Sequence, residues 1–151
     1  MAREHLEWLR SSDVPEQPVS DGPLTGLVGR TLSIDDETGA STALVRADRN
    51  WVGEPGQLEG AVELFVVQGE LAVGGTRLGR LGYALLAADT SVELDAGAEL
   101  LVMVDPERAT GEPIIVDGER IPWEKELHGA PAGVGVKVLR SAEEEGPVAL
   151  L

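Results

Sequence analysis

The side chains able to do chemistry in this chain are few and scattered. Its two histidines, His5 and His128, fall in a polar N-terminal stretch and beside a Gly-rich run, where each reads as a solvated surface group. There is no cysteine, which excludes disulfides, thiolate zinc sites and thiol nucleophiles. Ser33, Ser41 and Ser91 have no His and Asp arranged to activate them. Gly74-Gly75 and the glycines within 129–135 lack the Lys-Ser/Thr ending of a phosphate loop. Carboxylates remain. Glu59, Glu63 and Asp89 could hold a hard cation if their oxygens converged, but nothing in their spacing brings them together. Glu63, if turned inward and desolvated, could serve as a general base; on a strand end it reads equally as a rim carboxylate.

The elements that must position these groups are β-strands. Nineteen Gly and nine Pro punctuate 151 residues, and aliphatic runs recur between them at 27–32, 41–46, 64–67, 71–73, 84–88, 92–94, 100–104, 114–116, 136–139 and 148–151. That pattern predicts one all-β domain, a sandwich or barrel. The runs 64–67 and 71–73, separated by Gln68-Gly69, carry a hairpin signature, and Asp35 to Gly39 reads as a hairpin turn. Residues 2–10 are spaced for a short helix, 11–23 form a Pro-rich connecting arm, and 48–60 a polar loop centred on Trp51. The run around Phe65 is apolar on both faces (Val62, Leu64 and Val66 against Phe65 and Val67). A strand of that kind is covered on both sides, so an arm or a second subunit must supply the outer cover; a homodimer is the economical expectation.

The net charge of −15, from 27 acidic against 12 basic residues, repels phosphate backbones and anionic lipid, which argues against nucleic-acid and membrane partners. No secretory signal pattern stands in residues 1–12, and cytoplasmic residence is the default expectation.

An internal repeat is also visible. An offset of 107 positions lays residues 14–44 over 121–151 and matches Pro15/Pro122, Gly22/Gly129, Gly26/Gly133, Leu32/Leu139, Glu37/Glu144, Gly39/Gly146 and Leu44/Leu151. Val14/Ile121, Leu27/Val134, Arg30/Lys137 and Asp36/Glu143 are conservative pairs. Trp123 falls opposite Glu16 and therefore reads as an anchor for the C-terminal arm rather than a shared framework residue.

The run ELFVVQGELAVGG at 63–75, the following residues to Tyr83 and the return at 97–104 resemble the cupin superfamily, in particular ChrR-like cupins and one unit of two-cupin proteins. The resemblance implies a jelly-roll β-barrel over residues 27–116, an N-terminal arm over 1–26, and a C-terminal arm over 117–151 that resembles the start of a second unit. Cupins commonly hold Fe, Mn, Ni or Zn with two His and a Glu from a first motif and a His from a second. The matching His positions fall near Pro55, Gln57 or Glu59, the Glu position on Val62 or Glu63, and the second-motif His on Val92. The expectation is a barrel with no metal and no other cofactor. Gln57, Glu59 and Val92, with Trp51 as a stacking surface at the barrel mouth, would then line a site for a small, largely apolar ligand, or the barrel would serve only in assembly. The alternative is a metal-independent isomerase or epimerase with Glu63 and Tyr83 as acid and base; a metal-dependent dioxygenase or sensor is a weaker third.

Overall fold

The computed structural model describes residues 10–20, 22–53, 58–109, 111–125, 132–140 and 148–150. The helix expected over 2–10, both histidines and Gln57 lie outside them. After a single 3-10 turn at Ser11–Asp13, the elements in order are β1 (Gln17–Pro18), β2 (Val28–Ile34), β3 (Ser41–Arg46), β4 (Trp51–Gly53), β5 (Ala61–Gln68), β6 (Leu71–Val73) and β7 (Thr76–Leu78). They continue with β8 (Tyr83–Leu85), β9 (Val92–Leu94), β10 (Glu99–Asp105), β11 (Ile114–Val116), β12 (Lys137–Arg140) and β13 (Val148–Leu150). Among the described residues no helix is long and apolar enough to cross a membrane.

A seven-stranded sheet in the order β1-β2-β3-β10-β5-β8-β11 and a four-stranded sheet in the order β4-β9-β6-β7 enclose one core, the jelly-roll barrel that the strand count predicts. The pleat sorts the side chains. On β5, Val62, Leu64 and Val66 point inward, opposite Val104, Val102 and Leu100 of β10. They meet Leu71, Val73, Val92 and Leu94 from the smaller sheet in one cluster. The odd-numbered residues Ala61, Glu63 and Phe65 take the outer face.

Part of the outer cover comes from the chain itself. Ala61, Tyr83, Leu85 and Leu139 form a second buried cluster, with Phe65, Ile114, Val116 and Ile121 against it. Leu139 and Ile121 belong to the C-terminal arm, so the arm helps to cover Ala61 and Phe65 on the outer face of β5, while Val67 on the same face stays exposed.

The expected hairpin between 64–67 and 71–73 does not form. β5 pairs with β10 and β8, whereas β6 pairs with β7 and β9. The Gln68-Gly69-Glu70 corner carries the chain from one sheet to the other. Gly69 has a φ of 79°, and a Cβ there would lie 2.7 Å from Ala98 Cα, so only glycine turns this corner without strain. The hairpin in this stretch is β6–β7, closed by Gly74-Gly75. The turn over residues 35–40 does join β2 to β3, with Asp35 Oδ1 accepting the backbone N–H groups of Glu37 and Thr38.

Candidate functional site

Glu63 and Tyr83 do come together. They sit diagonally on adjacent strands, since Phe65 pairs with Tyr83 and Glu63 with Leu85. The Tyr83 hydroxyl donates a short hydrogen bond to Glu63 Oε2. Arg108, on the turn that follows β10, donates to Glu63 Oε1 at 2.8 Å, with the two side chains 17 % and 12 % exposed. The cluster lies on the outer face of the seven-stranded sheet, with Tyr83 fully buried in the cluster that includes Leu139 of the arm. It therefore does not open into the barrel, where an acid–base pair would face a bound ligand. Each carboxylate oxygen accepts a strong donor, which suits a tie between β5, β8 and the turn after β10.

The other anticipated residues do not assemble. Val92 and Val62 are core side chains, 2 % and 3 % exposed. Glu59 is exposed in the bend before β5, and Asp89 is exposed in the turn before β9. Trp51 is half-buried against the core on β4, and its Nε1 donates to Thr25 O at 3.0 Å, which fixes the ring beside the residue 22–26 turn. Among the described residues no three His, Asp or Glu side chains converge on one point. The divalent metal implied by the resemblance is not matched by these side chains: a valine has no lone pair to offer at the position of the second-motif His, and the Glu position is either Val62 or an outward-facing Glu63 committed to Arg108 and Tyr83.

A second polar assembly lies at the other end of the same outer face. Ser11, Glu16, Val28, Arg30, Leu44, Arg46 and Glu99 line a groove of about 150 Å³. Glu16 pairs with Arg30 at 3.2 Å and with Arg46, and Arg30 also donates to Ser11 O at 2.9 Å. The hydrogen bond from Arg46, and after it that from Arg30, holds the Glu16 carboxyl below its ordinary value of 4.5. A depressed folded-state value means that the tie contributes above 4.5 and is lost as pH falls through the lowered value. The Glu16 side-chain carboxyl resonance is expected to titrate with a midpoint below 4.5, and the amide shifts of its neighbours that follow it should lose that component in Glu16→Gln. A midpoint at or above the ordinary value would contradict the arrangement.

Sequence reasoning missed Arg108, 45 positions from Glu63 in a stretch without periodicity. It also missed the joint role of Arg30, Arg46 and Glu16, although the Arg30/Lys137 match was a usable signal.

No protein-family model and no curated protein matches the chain. Solved structures do. A candidate dioxygenase of Nostoc punctiforme superposes with a TM-score of 0.67 at 21 % identity, over 82 % of this chain and 50 % of its own. A candidate glyoxylate-induced protein of Pseudomonas aeruginosa gives a TM-score of 0.59 at 20 % identity, over 78 % and 50 %. The polyketide cyclase RemF of Streptomyces resistomycificus gives 0.54 at 17 % identity, over 69 % and 82 %. The chain spans about half the length of the first two. At such identities the likeness establishes the fold, and the activities named are those of the other proteins.

Proposed function

We propose that this chain, whose fold is the cupin-type jelly-roll barrel, is a metal-free module that works through its outer surface in assembly rather than through chemistry in its interior. The observation that carries the reading is the pair Val62 and Val92. Both stand inside the barrel, packed with Leu64, Leu71, Leu94 and Leu100, Val92 at the position that the resemblance gives the second-motif His and Val62 at one of the two it gives the Glu. Among the described residues the interior is lined by aliphatic side chains, which suit a small apolar ligand better than a polar one.

Elemental analysis of purified protein tests this. Iron, manganese, nickel and zinc are each expected below about 0.1 equivalent per chain, before and after incubation with the metals. One stoichiometric equivalent would overturn the reading.

The contact between Glu63 and Tyr83 is the observation that favours a metal-independent isomerase or epimerase. It is the weaker reading, because both groups lie on the outer face and Glu63 is neutralised by Arg108. Turnover of a carbonyl or sugar substrate that disappears in Tyr83→Phe at unchanged fold would reverse the preference.

A further inference from the structure

The segment before β12 repeats the one before β2, and a difference between the two is informative. At an offset of 107, the backbone pairing of Gln17 with Gly29 recurs as Glu124 with Val136. The turn bond from Asp13 N–H to Arg10 O recurs as Arg120 N–H to Asp117 O. Arg30 donates to Ser11 O at 2.9 Å, and its counterpart Lys137 donates to Gly118 O at 2.7 Å, again 107 positions on.

The second partner of the cation differs. Glu16 meets Arg30 in an ion pair, whereas Trp123, the residue opposite Glu16, lies under Lys137 with the ammonium 4.9 Å from its ring centroid. Trp123 thus belongs to the shared framework, which corrects the expectation drawn from its mismatch with Glu16. A segment of this kind therefore pairs with its strand without a carboxylate at that position. The N-terminal arm keeps further backbone ties of its own, from Val19 N–H to Leu27 O and from Gly26 N–H to Val19 O. Its docking does not account for Glu16.

Glu16 instead fills a clamp of two arginines. The register Val28↔Arg46 and Arg30↔Leu44 sets Arg30 and Arg46 diagonally on one face of neighbouring strands. Glu16 gives one oxygen to each, Oε2 to Arg30 at 3.2 Å and Oε1 to Arg46. A guanidinium presents five donors in a planar fork, the geometry that recognises a carboxylate. The side chains of Arg30, Arg46 and Glu16 are 30 %, 42 % and 29 % exposed, and ion pairs so open to water are weak enough to exchange.

The groove beside the clamp extends the pattern. Val28 and Leu44 give it aliphatic contact area. Glu99, half-buried, stands directly opposite Arg46 on β10, yet Arg46 pairs with Glu16 and Asp48. Among the described residues the Glu99 carboxylate has no hydrogen-bond or ion-pair partner. A partly desolvated carboxylate in that state favours a cation.

We infer that this groove binds a small zwitterion of the aliphatic amino-acid class, and that Glu16 is the internal carboxylate the ligand displaces. The ligand carboxylate replaces Glu16 on Arg30 and Arg46, its ammonium meets Glu99, and its aliphatic part lies on Val28 and Leu44. A volume of about 150 Å³ equals roughly five waters of liquid, which admits a molecule of that size and not a folded partner. The net charge of −15 repels a purely anionic ligand, whereas a zwitterion carries no net charge. This inference goes beyond the assembly reading and does not depend on it.

Titrations followed by amide chemical shifts at constant ionic strength test it with three probes. They are L-valine, 3-methylbutanoate, which lacks the ammonium, and isobutylamine, which lacks the carboxylate. Valine is expected to shift residues 28–30 and 44–46 saturably, with a dissociation constant on the order of 1–10 mM. Glu16→Gln removes the competing carboxylate and should tighten valine about ten-fold. Arg30→Gln combined with Arg46→Gln should abolish binding, and Glu99→Gln should reduce valine to the affinity of 3-methylbutanoate. All four side chains are partly open to water, so the melts of these variants are expected to stay close to the parent's. No saturable shift with valine in either the parent or Glu16→Gln would overturn the inference. Isobutylamine binding as tightly as valine would also do so, since the arginines would then contribute nothing. Equal affinity of valine for the parent and Glu16→Gln would show that nothing is displaced, and would sink it as well.

Discussion

Replacing Glu63 by alanine is expected to cost about 3–5 kcal/mol of stability, because it removes a carboxylate that a largely buried guanidinium and a buried hydroxyl both meet. In a chain of this size that lowers the melting temperature by roughly 6–20 °C. The reason is local. Arg108 meets Glu63 Oε1 at 2.8 Å with its side chain 17 % exposed, and Tyr83, fully buried, donates to Oε2. Truncation strips the group that both donors face, whereas Glu63→Leu combined with Arg108→Met replaces the charges by aliphatic volume and is expected to recover part of the loss, since the buried Tyr83 hydroxyl still loses its Glu63 acceptor. Thermal melts of the single and double variants decide it. A Glu63→Ala melt within a degree or two of the parent would mean that the cluster holds nothing together. Loss of a measurable turnover at unchanged stability would instead make Glu63 a reacting group.

The second large effect concerns the barrel interior. Leu64→Ala is expected to cost about 2–5 kcal/mol, since Leu64 is completely buried at the centre of β5, opposite Val102 and Ala84, and its removal leaves a void. The void should be dry and apolar, and a probe such as benzene should raise the melting temperature of the variant but not of the parent. A parent that already responds to benzene, together with a cost at the low end of that range, would show an interior open to small apolar ligands. The pair of outcomes separates a packed barrel from a container.

Some strands were legible because their side chains alone settle the matter. The runs 41–46, 71–73, 92–94 and 114–116 match β3, β6, β9 and β11 to the residue. β1, β4 and β7 were not, because Gln17–Pro18, Trp51–Gly53 and Thr76–Leu78 are two- or three-residue segments whose pairing is imposed by neighbours already in a sheet. The error at Gly69 has the same origin. A glycine between two apolar runs signals a reversal, but whether the second run returns to its own sheet or crosses to the facing one is decided by the core. The face of Glu63 was hidden for a related reason. With Phe65 and Val67 on one side of β5 and Val62, Leu64 and Val66 on the other, alternation cannot say which side is the interior. The repeat was legible as an offset, while its meaning at Trp123 was not, because a carboxylate and an indole look unrelated until Glu16 is seen paired with Arg30 and the Trp123 ring under the Lys137 ammonium.

The place of β10 in the large sheet has a consequence for how the chain reaches this state. It lies between β3 and β5, two strands from the first half of the chain that touch through nothing else in that sheet. The closest pair of its ladder with β3, Arg46 and Glu99, is 53 positions apart. The barrel wall therefore cannot close while residues 99–105 are still inside the ribosome. Until they emerge, the aliphatic faces of β3 and β5 have no strand to join them. Such long-range pairing predicts folding on the order of milliseconds to seconds, limited by the docking of one late strand into a gap between two early ones.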